Sequence, residues 1–132
     1  VNVVVTVTAG SLETGLTASG TQTVNGVTSA FAESGSGVYT ITYTVVEGNT
    51  DISDGSALPV SITLQDSSNN AGTEITTIPL GTAPGIDANS PTPTISYHSF
   101  ETGDTIKTST VTFSVTFDEN VNFFTLDDIT VS

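Results

Sequence analysis

The chain has 132 residues, 14 of them acidic and one basic, Lys107, giving a formal charge of -13, and it contains neither cysteine nor methionine. A field of that sign repels phosphate backbones and anionic bilayers, which excludes nucleic-acid binding by charge neutralisation, and the absence of thiols removes disulfides and thiolate chemistry. Charged residues are only 11% of the chain, against roughly 25% in an average soluble domain, so Thr, Ser, Gly and Asn must hydrate the surface, a composition that points to an extracellular or cell-surface location.

Residues 1–9 alternate, with Val1, Val3, Val5, Val7 and Ala9 on one face and Asn2, Val4, Thr6 and Thr8 on the other, which predicts a strand. A glycine-containing loop is expected over 10–20. Asn25-Gly26 lies between the apolar-containing runs 21–24 and 27–31, the pairing that type I′ hairpin turns favour because both residues take positive φ. Residues 38–46 form a strand whose core face carries Tyr39, Ile41, Tyr43 and Val45. A long loop over 47–58 leads to Pro59, which opens a strand over 60–64; the turn cluster 66–72 returns the chain as a strand over 73–78, a second hairpin.

Beyond Pro84-Gly85-Ile86-Asp87-Ala88-Asn89-Ser90-Pro91, short strands are expected at 94–97 and 110–117, a turn at 101–104, core plugs at Phe123, Phe124 and Leu126, and a further strand beginning at Ile129. The two prolines fix φ and remove donors, so no ladder runs through this stretch. Nothing has sustained helical period, and short strands at intervals of roughly ten residues are the signature of a β-sandwich. No run approaches the roughly 18 apolar residues of a membrane span, so this segment is not expected to insert in a membrane.

Residues 3–9 can be laid on residues 111–117, an offset of 108 positions, the difference between 3 and 111. Repeats of about 100 residues have the size of immunoglobulin domains. The expected organisation is a sandwich lacking its first strand over 1–83, a linker over 84–92, and the first strands of a second repeat over 93–132, or strands given to a neighbouring chain. A chain that opens at Val1 without methionine reads as processed or excised. A sandwich without its first strand exposes an edge that a foreign strand can fill, and the residues that would cross or receive are Val1, Val3, Val5 and Val7 or Val111, Phe113, Val115 and Phe117.

The run 39–55 (YTITYTVVEGNTDISDG), the following Leu58-Pro59-Val60-Ser61-Ile62, the turn at 66–72 and Pro84-Gly85-Ile86-Asp87 resemble immunoglobulin-like repeats of large bacterial and archaeal surface proteins. The segment 115–121 (VTFDENV), with Phe124 and 126–131 (LDDITV), is similar to the F-S-E-P-V and D-I-V pattern that opens many such repeats, with Asp-Glu-Asn here in place of Ser-Glu-Pro. The resemblance covers roughly 38–132. It implies an all-β, antiparallel Greek-key sandwich of immunoglobulin-like type, incomplete at both chain ends, in an adhesin, S-layer or extracellular filament. The function expected is that of a spacer or assembly subunit whose partners are copies of itself or neighbouring repeats. The alternative is an adhesive module that recognises a glycan or a surface protein through the loops 10–20 and 47–58.

Calcium takes oxygen ligands from carboxylates, Asn side chains and carbonyls, and two sets could supply them. Asp87 and Asn89 at the junction, a D-x-N pattern that resembles cadherin-type linkers, would be joined by Glu119, Asp127 and Asp128; the second set is Glu47, Asn49, Asp51 and Asp54 in the long loop. These residues are equally suited to closing turns. The lone His98 has no second His or Cys to share a transition metal, and no serine sits in a nucleophile elbow. Asp118-Glu119 and Asp127-Asp128 are sequence neighbours, which a strand points to opposite faces, so no catalytic role is expected. If calcium is bound, its removal by a chelator lowers the thermal midpoint; an unchanged melt removes the metal.

Overall fold

The computed structural model describes residues 1–97, 105, 107 and 110–130. Its elements are β1 (Asn2–Thr8), β2 (Thr17–Ala18), β3 (Thr23–Val24), β4 (Val27–Thr28), β5 (Ala30–Gly35), β6 (Val38–Thr44), β7 (Leu58–Ile62), β8 (Leu64–Gln65), β9 (Ile75–Ile78), β10 (Pro93–Tyr97) and β11 (Phe113–Phe117). Single 3-10 turns occur at Gly10–Leu12 and Leu126–Asp128. The protein is all-β, and every strand pair is antiparallel. It divides into two compact units, Val1–Asn89 and Ser90–Ser132. Of the stretch expected as a linker, residues 84–89 fold with the first unit.

In the first unit one sheet has the order β1-β6-β5 and the other β4-β3-β7-β9, with a short β2-β8 pair beside them. Alternation decides what lies between the sheets. Tyr39, Ile41 and Tyr43 on β6 are fully buried, while Thr40 and Thr42 between them are half-buried and Thr44 is exposed. On β1, Val5 is buried and Val3 and Val7 are half-buried, whereas Val4 is exposed. These faces meet Val24 of β3 and Leu58, Val60 and Ile62 of β7 in one apolar cluster, which Ala83, Ile86 and Ala88 complete. The core face expected for 38–46 is therefore the observed one, and of the two alternating faces of β1 it is that of Val3, Val5 and Val7 that turns inward.

The hairpin at Asn25-Gly26 forms as its sequence dictates. Asn25 has φ 53° and Gly26 φ 73°, the left-handed pair that a type I′ turn requires, and Val24 pairs with Val27 across it. Pro59 lies within β7 and not at its threshold. Its carbonyl accepts from the Asn25 N–H at 2.8 Å, a position opposite the turn and past the end of β3, so its missing N–H costs the ladder nothing.

One strand was not separable in the sequence. The run expected as a single strand over 27–31 breaks at Ser29, a buried residue whose N–H donates to the Gln22 carbonyl at 3.0 Å. Residues before it pair in one sheet as β4; those after it pair with β6 in the other as β5. Return from β5 to β6 passes through Gly35, Ser36 and Gly37, all at positive φ. A methyl at Gly37 would overlap the backbone of Leu12, so glycine is required there by space as well as by conformation.

In the second unit β10 and β11 form a two-stranded ladder with Ile95 opposite Val115. The strand expected at 110–117 is shorter, beginning at Phe113. Phe124 packs edge-on against Phe117, with centroids 5.0 Å apart and planes at 74°. Phe123 and Leu126, expected as core plugs, are 97% and 84% exposed, because this unit has no second sheet among its described residues to receive them. Ile129 and Thr130 are not in a strand; the chain instead closes a 3-10 turn in which Thr125 and Asp128 cap each other. Val131, His98 and the turn expected at 101–104 lie outside the described residues.

Ile41 lies in the central strand of its sheet and is completely buried. Ile41→Ala is expected to cost about 2–5 kcal/mol, read as a fall in the denaturant midpoint of the first unit, whereas Thr44→Ala on the exposed face should leave it within about 0.5 kcal/mol.

Candidate functional site

The long loop over 47–58 and the exit segment over 84–89, which the sequence presents as separate acidic clusters, form one structure. Ile52 and Ile86 exchange both backbone hydrogen bonds, at 2.8 and 2.7 Å. Beside this bridge the Asp51 Oδ1 accepts from the Ala88 N–H at 2.8 Å and from Asn89 Nδ2 at 2.9 Å, and Asn89 Nδ2 also reaches the Asn49 carbonyl at 3.3 Å. Two features make this local fold. Ile86 and Ala88 are buried on alternate positions while Asp87 between them and Asn89 after them are exposed, and Gly85 lets the segment pass close to the Asp54 backbone.

The loop is anchored to the core from its other side. The Tyr43 hydroxyl donates to Asn49 Oδ1 at 2.8 Å, and the same oxygen accepts the Val46 N–H at 3.0 Å. Asn25, buried at the hairpin turn, donates from Nδ2 to the Thr50 carbonyl at 2.7 Å. Tyr39 does the equivalent at the opposite end of β6: its hydroxyl donates to the Glu13 carbonyl at 2.9 Å and accepts from the Leu16 N–H at 3.0 Å. Gln22, 3% exposed, joins the 19–20 segment to Thr63 by donating to the Ser19 and Gly20 carbonyls and accepting the Thr63 N–H at 2.8 Å. None of these anchoring roles was assigned from sequence; a Tyr on the inward face of a strand, whose hydroxyl needs a partner when buried, is the signal that carried two of them.

Of the residues considered for calcium, Asn49, Asp51 and Asn89 are brought together, although they come from both proposed sets. Their described bonds are to protein groups: Asn49 Oδ1 and Asp51 Oδ1 each accept two. Asp87 and Asp54 are exposed. Glu47 lies on the same loop, while Glu119, Asp127 and Asp128 belong to the second unit. There Asp128 Oδ2 accepts from the Thr125 N–H and hydroxyl, and Asp118 Oδ1 accepts from the Thr92 N–H at 2.7 Å. No group of three or more His, Cys, Asp or Glu side chains suited to a metal occurs among the described residues.

Hydrogen bonding sets the acidity of three carboxyls in the chain. The Ala88 N–H, then Asn89, hold Asp51 below the ordinary aspartate value of 3.8. Asn70 does the same for Asp66, first through its side chain and then through its N–H, in the turn that closes the β7–β9 hairpin. The Thr92 N–H lowers Asp118. Each bond favours the charged form.

The strand-exchange candidates occupy two places. Val3, Val5 and Val7 line the inner face of β1, whose only pairing partner among the described strands is β6; Val1 is 95% exposed at its start. Val111, Phe113, Val115 and Phe117 belong to the second unit, where Val111, Phe113 and Val115 line an open apolar hollow of about 580 Å³ with Ile95. Along the free side of β1 run two further hollows. One of about 180 Å³ lies between Val3 and Val5 and the residues Leu58, Ile78 and Ala83; the other, of about 410 Å³ and mixed in character, has Val7, Ile62 and Ile75 on its walls together with Glu13, Asp66 and Asn70. Both open where the two sheets of the first unit part. Comparison of the chain with protein-family models, curated proteins and solved structures returns no match.

The lowered pKa of Asp51 makes stability depend on pH. Its folded value lies below its unfolded one, so its contribution is complete above the ordinary value of 3.8 and is lost as pH falls through the lower folded value. Asp51→Asn is therefore expected to lower the thermal midpoint at pH 7, and the gap between variant and parent should close below pH 3.8. Measuring the difference between the two chains separates this from the relief of general repulsion that any protonation brings to a chain of charge -13.

Proposed function

We propose that the chain is an extracellular structural segment of a cell-surface or filament-forming protein, built from immunoglobulin-like repeats and acting as a spacer or assembly subunit. The observation that carries this reading is the order of strands. An immunoglobulin sandwich places its strands A, B, E and D in one sheet and C, F and G in the other, with C′ added beside C in larger members. In chain order β1, β3, β4, β5, β6, β7 and β9 take the places of B, C, C′, D, E, F and G, and the observed sheets β1-β6-β5 and β4-β3-β7-β9 are then B-E-D and C′-C-F-G. Among the described strands only A has no counterpart beside β1. The second unit begins with an antiparallel pair, β10-β11, the arrangement that A and B would have in a following repeat, and β11 is the strand that overlies β1 at the offset of 108.

A spacer must define where the chain leaves each repeat. The bonds from Asp51 to Ala88 and Asn89 do so for the first unit, holding the exit to its last residue. The acidic, Thr-rich surface keeps such segments soluble without many charged pairs.

Antibodies raised against residues 1–89 are expected to label intact, unpermeabilised source cells or the filaments they shed. Labelling that appears only after permeabilisation would overturn the reading, and a specific ligand on a glycan array would favour the adhesive module instead.

A further inference from the structure

We propose that the open edge of β1 and the groove beneath it are a docking site for β10 of a second copy of this chain, which exchanges its place beside β11 for the equivalent place beside β1. The inference rests on the repeat reading given above and adds to it the accepting surface, the donated segment and their register.

The accepting edge follows from hydrogen-bond parity. Val45 donates its N–H to the Val1 carbonyl and Ala9 donates to the Gly37 carbonyl, so the odd-numbered residues of β1 turn their backbone groups toward β6. In an antiparallel ladder the intervening residues turn theirs the other way. Val4, Thr6 and Thr8 thus present N–H and C=O groups along an edge that no described strand covers. Side chains alternate with the same period: Val3, Val5 and Val7 face inward over the two hollows, and Val4, Thr6 and Thr8 are exposed. An added strand would form main-chain bonds with the second set and lay its own apolar residues beside the first.

The second unit supplies the donor and its register. Laid over β1 at the offset of 108, Val115 falls on Val7, Thr116 on Thr8, Ser114 on Thr6 and Phe117 on Ala9. β10 pairs with those residues through Ile95, Thr94, Ser96 and Pro93 respectively. Transferred to β1, Ile95 lies opposite Val7 and Pro93 opposite Ala9, over the larger hollow, while Thr94 and Ser96 lie opposite Thr8 and Thr6 on the outer face. Along β1 the half-buried Ala9 and Val7 flank the exposed Thr8, and Pro93-Thr94-Ile95 repeats that apolar, polar, apolar order. Because one β10–β11 ladder is replaced by one β10–β1 ladder, main-chain bonding is conserved. The gain is burial of Ile95, 68% exposed where it stands, together with the rim of the groove.

Sedimentation of the full chain over a concentration series tests this with two variants. Thr6→Pro removes an N–H directed at the free edge and leaves the ladder to β6 intact, a change that edge strands tolerate; Ile95→Asp places a charge in the donated strand at an already exposed position. The parent chain is expected to associate with rising concentration, and each variant to weaken that association by about tenfold or more while keeping the parent's far-UV circular dichroism. A parent that stays monomeric throughout, or variants that associate as the parent does, would overturn the proposal. Either result leaves the surface-labelling outcome untouched, so failure of strand exchange and failure of the repeat reading are distinguishable.

Discussion

Everything in the first unit depends on β6 being paired on both sides and covered on one face. Its alternation of Tyr and Ile with Thr makes it amphipathic with a period of two, and burying Tyr39, Ile41 and Tyr43 together draws the second sheet over it. Fully burying a side chain of the size of Ile41 contributes about 1.5–3 kcal/mol. The two tyrosines do more than fill volume, because each buried ring ends in a hydroxyl that must be satisfied. Those hydroxyls reach the loops at opposite ends of the strand, Glu13 and Leu16 at one and Asn49 at the other. The same strand that nucleates the core therefore also fixes the loops around it.

A chain with one lysine cannot join its loops by ion pairs in any number. It uses short polar side chains on backbone groups instead. Asp51 gathers the exit segment, Asp66 closes the β7–β9 hairpin, Asp118 ties Thr92, and Asn25 and Gln22 join turns to neighbouring strands from buried positions. Such bonds to ionised carboxylates are stronger than neutral ones, and for Asp51, Asp66 and Asp118 they explain the lowered pKa. They also explain why acidic residues that look ligand-like in sequence are so often engaged as turn and loop closers.

The free edge of β1 is the complement of this closed interior. Edge strands are ordinarily blunted by charge, proline or a covering element; β1 carries Val, Thr and Asn and has a groove beside it. A sandwich that ends in this way on one side, followed by a strand pair of the kind it lacks, suits a protein whose repeats are completed by strands from elsewhere in the assembly, as we propose. In the second unit Phe113, Phe123 and Leu126 are exposed.

The sequence by itself determined the class of fold, the faces of β1 and β6, and the Asn25-Gly26 hairpin, because each depends on a period of two or on the φ angles of two residues, which are local properties. It also held the 108-residue correspondence between β1 and β11. It could not show that residues 27–35 divide between two sheets at Ser29, since the break is made by a backbone bond to Gln22 and by which sheet has room for the next strand. Nor could it show that Asp51 and Asn89, 38 residues apart, share a bond, so the exit segment was read as a linker when residues 84–89 pack into the core. Local pattern decides which residues face inward. Only tertiary packing decides which strand lies beside which, where the chain is clamped, and that one edge of β1 has no partner among the described strands.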